Sequence, residues 1–409
     1  MKNYSLLFLF VFSVASVSAA DSWLQKSSLP AQPRVGAIAF SINGFGYVGT
    51  GLDTAGNLLN DFWKYDPVND SWAQAASFPG TGRKNAVAFV TDSFAFAGTG
   101  YDNAGLTKDF FKYDPQNNAW LQIEDLDSAG AVYPRRDAAA FSIGHRGYVV
   151  GGYDGTSFYS NESWQYDGSR DTVWNEKAFF PLAGRRWAAS FSVNGHGFVG
   201  MGFNYSQEYF HDFWKYDESI NAWSQMADYA GNKRGYAVSF VINGFAFVGT
   251  GFDGALKSDF YIYDELFNQW APIAEFGGQP TSSAAGFSVN GKGYIFGGVD
   301  TLGFKNELWE YTPGNSLGIE NSAVKNAIAL YATPNPALHS FNIENLKFDV
   351  EKIYELKLFT STGNLILSQF LSSEQKAVVV EHFPAGMYYF SVTSKTGDKQ
   401  VVTGKVILQ

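Results

Sequence analysis

Five arginines stand at matched positions along this 409-residue chain, and a sixth matched position holds threonine: Arg34, Arg83, Arg135, Arg185, Arg234 and Thr281. Each lies six residues before the aromatic of a short apolar segment. A guanidinium is a rigid fork of donors that grips a carboxylate, a phosphate or an acidic sugar in bidentate fashion. Five of them around one channel would suit an anionic ligand. Two acidic columns run alongside. Asp53, Asp102, Asp154, Asn204, Asp253 and Asp300 form one, and Asp61, Asp109, Glu162, Asp212, Asp259 and Glu307 form the other. The arginines therefore have a second use, as structural ion pairs between repeats, and residue types alone leave both uses open. A further column, Leu52, Tyr101, Tyr153, Phe203, Phe252 and Val299, follows paired glycines. Its aromatics Tyr101, Tyr153, Phe203 and Phe252 are candidates to stack on a sugar or to anchor a partner, alongside the arginines.

Other chemistries find less support. The five histidines, His145, His196, His211, His339 and His382, show no metal-ligand spacing, and cysteine is absent, which removes disulfides and thiolate metal sites. No nucleophile elbow of the Gly-x-Ser-x-Gly type occurs. Neither a metal nor a cofactor is expected. The net charge of −10 falls on residues 21–322, because the last 87 residues carry eight lysines against seven acids. Such a body is a poor partner for nucleic acid or an anionic membrane surface.

The elements that must position these columns repeat. Trp23, Trp72, Trp120, Trp174, Trp223 and Trp270 follow one another at steps of 49, 48, 54, 49 and 47 residues. A period near 50 means a stacked or radial array. Each unit opens with a small-residue strand, as in Ala37 to Ile42, and turns at Asn43-Gly44 or its relatives Asn194-Gly195, Asn243-Gly244 and Asn290-Gly291. Asn-Gly between apolar runs is a strong hairpin signal, since both residues accept positive φ. A second strand ends on paired glycines, a third runs from Asp61 to Asp66 and its relatives, and the tryptophan begins a fourth. Four antiparallel strands repeated six times predict a β-propeller. The sixth unit has no tryptophan strand of its own. Asp21-Ser22-Trp23-Leu24-Gln25 matches Asp70-Ser71-Trp72-Ala73-Gln74, so residues 21–27 are expected to complete the last blade and close the ring.

The glycine pairs, followed by a Tyr and by a Trp seven or eight residues later (Tyr65 and Trp72, Tyr113 and Trp120, Tyr166 and Trp174, Tyr216 and Trp223, Tyr263 and Trp270), resemble the kelch repeat over residues 21–313. The resemblance implies an all-β fold, a six-bladed kelch-type β-propeller with its first strand innermost. It places the arginine column at the channel mouth. The strand 2–3 loops and strand 4–1 connections share the face with the longer loops, where function is expected. Kelch-like copper oxidases use a Tyr–Cys crosslink that this chain cannot form. A kelch enzyme of the sialic-acid epimerase or mutarotase type needs only Arg, Glu and His.

The ends of the chain carry an address. Lys2, the apolar run Leu6 to Val14 and the small residues before Asp21 read as a signal peptide, residues 1–20, and no later segment is long and apolar enough to span a membrane as a helix. Residues 314–327 read as a linker. Residues 328–409 alternate like a small β-sandwich. There Tyr331-Ala332-Thr333-Pro334-Asn335-Pro336, Leu358-Phe359 with Gly363, Ala385-Gly386-Met387-Tyr388-Tyr389 and the ending Gly404 to Gln409 resemble the sorting domain of the type IX secretion system of Bacteroidota. That family implies a partnership with the secretion machinery and passage through the periplasm to the cell surface or medium. The sequence thus predicts an exported propeller acting as a non-catalytic binding module for glycan or protein through its long-loop face. The alternatives are a carbohydrate-active enzyme with an Arg-ringed channel and a purely structural surface protein.

Overall fold

A computed structural model describes residues 21–126, 134–155, 159–168, 174–314, 331–333, 337–344, 354–360, 365–372, 377–394 and 401–408. The expected signal peptide and nearly all of the expected linker lie outside these residues. Among the described residues there is no helix, and hence none long and apolar enough to cross a membrane.

Six four-stranded antiparallel sheets follow one another. The first runs Ile38–Ile42, Phe45–Gly49, Phe62–Asp66 and Ser71–Ala75. Its inner strand shows strict alternation, with Ile38, Phe40 and Ile42 buried and the residues between them half-buried, as a pleated strand at a tight centre requires. The innermost strands of successive blades pack against each other, and that of the sixth, Ala285–Val289, packs against that of the first. The sheets therefore form a closed ring, a propeller. The sixth blade takes its outer strand from the other end of the chain: Ser22–Lys26 pairs antiparallel with Leu308–Thr312, with Trp23 opposite Tyr311.

Three devices hold neighbouring blades together. First, the inner-strand phenylalanine of one blade lies over a glycine of the next. A Cβ on Gly147 would stand 1.9 Å from Phe89, and one on Gly197 2.0 Å from Phe141. Secondly, each outer-strand tryptophan donates its indole N–H to a carbonyl of the preceding blade: Trp120 to Ala76 at 2.9 Å, Trp223 to Ala178 at 2.9 Å, Trp270 to Ala227 at 3.1 Å and Trp23 to Ala274 at 3.2 Å. The tryptophans are thus pegs between blades. Thirdly, six backbone hydrogen bonds form a closed circuit. Gly36 donates to Ser283, Ser283 to Tyr236, Tyr236 to Trp187, Trp187 to Asp137, Asp137 to Asn85 and Asn85 to Gly36, at 2.8–3.3 Å. A circuit that visits six blades in order must encircle the axis.

The C-terminal residues form a three-stranded sheet, Tyr331–Thr333, Ser340–Glu344 and Ala377–Val379, and a four-stranded one, Leu365–Leu371, Tyr354–Thr360, Gly386–Ser394 and Val401–Leu408. Phe341, Leu356, Leu358, Val378, Phe390 and Val406 form their shared core.

Candidate functional site at the mouth of the propeller axis

Each arginine of the matched column is at most 2 % exposed, and each faces the acid that opens the third strand of its own blade. Arg34 grips Asp61 with both terminal nitrogens at 2.6 and 2.9 Å, Arg83 grips Asp109 at 2.5 and 2.8 Å, and Arg185 grips Asp212 at 2.6 and 3.0 Å. Arg234 does the same with Asp259, and Arg135 meets Glu162 at 2.5 Å. Nη1 also donates to a backbone carbonyl of the second-strand end, that of Thr50, Thr99, Gly151, Met201 or Thr250. The pairs lie within blades, not between them as the sequence reading had it. Burial would raise the Asp61 and Glu162 carboxyls, but the hydrogen bonds and charges of Arg34 and Arg135 outweigh it and hold both below the usual range. Guanidiniums so buried, with their terminal nitrogens committed to a carboxylate and a backbone carbonyl, are turned into the blades and away from a ligand at the mouth.

The next residue along points the other way, as alternation requires. Val35, Lys84, Arg136, Arg186, Gly235 and Ser282 pair through their backbones with Leu52, Tyr101, Tyr153, Phe203, Phe252 and Val299. One residue further on come the members of the axial circuit, Gly36, Asn85, Asp137, Trp187, Tyr236 and Ser283, all at φ between 52° and 63°. Positive φ is costly for a bulky side chain, and such strain gathers at functional sites. Here it places the Trp187 and Tyr236 rings against each other, 4.0 Å between centroids, at the neck of the axis.

The rim is lopsided. On the side of blades one and six it carries the small residues Gly36, Ser282 and Ser283. On the opposite side stand two further arginines among aromatic rings. The Arg186 guanidinium lies 3.9 Å from the Trp187 ring centre, 4.9 Å from Tyr159 and 5.1 Å from Phe203. That of Arg136 lies 5.0 Å from Tyr101 and 5.5 Å from Tyr153. Between the two arginines sits Asp137, 4 % exposed, 3.5 Å from Arg136 Nε and 3.6 Å from Arg186 Nη1. Neither contact makes a hydrogen bond of good geometry, and the Nε atoms of both arginines are buried without a partner. Burial pushes the Asp137 carboxyl up to about 6, against the pull of Arg136 and Arg186. Burial also raises the Tyr159 and Tyr236 hydroxyls, again opposed by Arg186.

Of the aromatic column, Tyr101, Tyr153 and Phe203 are brought together around these two arginines, while Phe252 bridges Gly235 and Leu256 in the next blade. Sequence reasoning missed Arg136, Asp137, Tyr159, Arg186, Trp187 and Tyr236. Their signal was a position at which the repeats disagree. The histidines stay apart, and His145, His196, His211 and His339 each meet one carboxylate, as His196 with Glu265 at 2.7 Å and His211 with Asp228 at 3.7 Å. No cluster of three or more metal-ligating side chains occurs among the described residues.

Residues 331–409 match the model of the secretion system C-terminal sorting domain. No curated protein matches the chain. The solved structure titled "Structure of YjhT" covers 71% of this chain and 96% of its own, with a TM-score of 0.54 and 18% identity. At that identity the likeness shows the fold alone, and the fold is a propeller. The sorting domain marks a protein exported through the type IX secretion system to the cell surface or the medium.

Proposed function

We propose that this chain is an exported, non-catalytic binding module, and that the mouth of its axis takes a carboxylate-bearing sugar of a surface or environmental glycan. The observation that supports this reading is that the Arg136 and Arg186 side chains reach solvent at the rim and lie over aromatic faces with no well-formed hydrogen bond to Asp137, across the mouth from small side chains. Arg136, Arg186 and Lys84 against the one carboxylate of Asp137 leave an excess of positive charge, which suits an anion, and the tyrosines and Trp187 suit the apolar face of a pyranose ring. The kelch resemblance and a terminal sorting domain agree with such a module, which would part from its last ~80 residues on export. An acidic-glycan array probed with the full-length protein tests the reading. Wild type is expected to bind uronate- or sialate-type glycans, and Arg136→Ala with Arg186→Ala to lose them. Binding that survives both changes would refute it.

One observation favours a second reading. Asp137, whose carboxyl burial raises to about 6, is enclosed between the two rim arginines and would be the general base of a carbohydrate-active enzyme if they part to admit a sugar. Anomer exchange of an acidic sugar, followed by NMR, would accelerate with wild type and not with Asp137→Asn.

A further inference from the structure

The sixth blade differs from the other five at one residue, and the difference leaves a socket. In blades one to five the column arginine donates to a carboxylate and to the carbonyl of a residue at φ between 57° and 68°. In three of them Nε also donates to the carbonyl two residues earlier, that of Gln32, Thr81 or Asn232, at 3.0–3.2 Å. An aromatic lies beneath: Phe78 at 4.7 Å from Arg83, Phe180 at 4.6 Å from Arg185, Tyr229 at 5.3 Å from Arg234. In blade six the arginine is Thr281, 3 % exposed, whose hydroxyl donates to the Val299 carbonyl at 3.0 Å.

The rest of the arrangement persists. Trp309 donates to Glu307 at 3.0 Å, as Trp63 does to Asp61 at 2.7 Å and Trp214 to Asp212 at 2.8 Å. Gly297 holds φ at 66°, matching Thr50 and Met201 at 59° and 62°. Phe276 takes the place of Phe78 and Phe180. Phe276, Gln279, Thr281, Gly297, Glu307 and Trp309 line a small recess open to solvent, with Asp300 and Lys305 also on its wall. Lys305 does not neutralise Glu307, because its ammonium lies 2.8 Å from Asp300. Among the described residues Glu307 has no ion-pair partner.

We propose that this socket binds an arginine side chain supplied by a protein partner, whose guanidinium takes the place that the chain's own arginine holds in the other five blades. A guanidinium is planar and can meet the carboxylate and the Gly297 and Gln279 carbonyls together, with its face on Phe276. An ammonium is a compact point charge that can make the carboxylate contact but not the stacked, forked one. The proposal is independent of the axial mouth, which carries its own arginines and prefers an anion.

Calorimetry of the full-length protein tests it, with N-acetyl-arginine methylamide as probe and the citrulline and lysine counterparts as controls. Wild type is expected to bind the arginine probe at least tenfold more tightly than either control. Glu307→Gln should weaken it at least tenfold. Thr281→Arg should abolish it and raise the melting temperature, since the chain then fills its own socket. Arg186→Ala should leave it unchanged. Equal binding of citrulline, no binding by wild type, or undiminished binding in Glu307→Gln would each overturn the proposal. Loss of binding in Arg186→Ala would move the probe to the axial mouth and overturn it too. If Thr281→Arg does not fold, Glu307→Gln and the citrulline control still decide.

Discussion

Arg185 and Arg186 are adjacent in the chain, yet they belong to different regions of the molecule. Arg185 is one of five near-identical ion pairs inside the blades, gripped at both terminal nitrogens by Asp212. Arg186 stands on the rim, 15 % exposed, over aromatic rings, with its nearest carboxylate oxygen 3.6 Å away. The first position scarcely changes around the ring, whereas the second reads Val35, Lys84, Arg136, Arg186, Gly235 and Ser282. In a ring of near-equivalent blades, what repeats meets the same neighbours six times and serves the framework. A ligand at the axis sees every blade from a different side, so its contacts have to vary. Repetition therefore separates architecture from recognition more sharply than residue type does.

The largest expected effect comes from breaking a framework pair. Arg185→Ala leaves Asp212 mostly buried and without its cation, and breaking such a pair costs about 3–5 kcal/mol. Chemical denaturation should show a lower midpoint of that order for Arg185→Ala. Arg186→Ala also takes a cation from buried Asp137 and a guanidinium from aromatic faces, but Asp137 keeps Arg136 and can take up a proton, so its loss should be smaller than that of Arg185→Ala. Comparable losses for the two variants would end the distinction between the columns.

Binding should reverse that ranking. Arg186→Ala removes charge-assisted donors from the rim, each such hydrogen bond contributing about 1.5–3 kcal/mol, or roughly ten- to 150-fold in Kd. Calorimetry with an acidic sugar that wild type binds should show this loss for Arg186→Ala. Leu52→Ala, on the bare side of the mouth, should show little.

The acids of the two regions move in opposite directions, and pH sharpens the comparison. Asp137 is raised to about 6 by burial. At pH 7.5 it is charged and offsets one of the cations around it, Arg136, Arg186 and Lys84; below 6 it is neutral and they face the ligand without it. Affinity for an anion should rise as pH falls from 7.5 to 5, and Asp137→Asn should flatten the profile. Stability follows the same sign. The folded state holds this proton more tightly than the unfolded chain, so the contribution of Asp137 is full below the ordinary carboxylate range and is lost as pH rises through about 6. Asp61 and Glu162 are lowered instead, so their contribution is present above the ordinary carboxylate range and disappears as pH falls through their depressed values. Denaturation midpoints of wild type and Asp137→Asn between pH 3 and 8 would separate the two signs.

Much of the fold could be read from residues because each blade states the same thing. The tryptophan period, the Asn-Gly turns at Asn43 and Asn194 and the displaced Trp23 strand all describe elements present in the structure. The direction of the arginines could not be read. A strand has two faces, and spacing places Arg135 and Arg136 on opposite ones without saying which looks toward the axis. Asp137, Trp187 and Tyr236 were harder still. They share a column with Gly36, Asn85 and Ser283, and no residue type is common to it; what they share is a backbone at positive φ, fixed by hydrogen bonds from blade to blade. Such a constraint has no signature in a single chain's composition. Tyr101, Tyr153 and Phe203 were within reach because they follow glycine pairs that do repeat.

The smallest expected effect tests whether the framework is as uniform as its repetition suggests. Trp270→Phe keeps an aromatic ring against Phe213 and Tyr263 but removes the indole donor to Ala227. One neutral hydrogen bond contributes about 0.5–1.5 kcal/mol. Trp23→Phe removes the equivalent bond to Ala274, at the joint where the chain's first strand meets its last blade. If that joint is an ordinary blade contact, the two variants should destabilise equally and leave ligand affinity untouched. The backbone register from Ser22 to Lys26 against Leu308–Thr312 would then carry the closure, with Trp23 as one peg among six. A loss for Trp23→Phe several times that for Trp270→Phe would instead make the joint a weak point that its tryptophan holds shut. The ring would then open there first, with the unfolding of the N-terminal strand preceding that of the blades in hydrogen exchange.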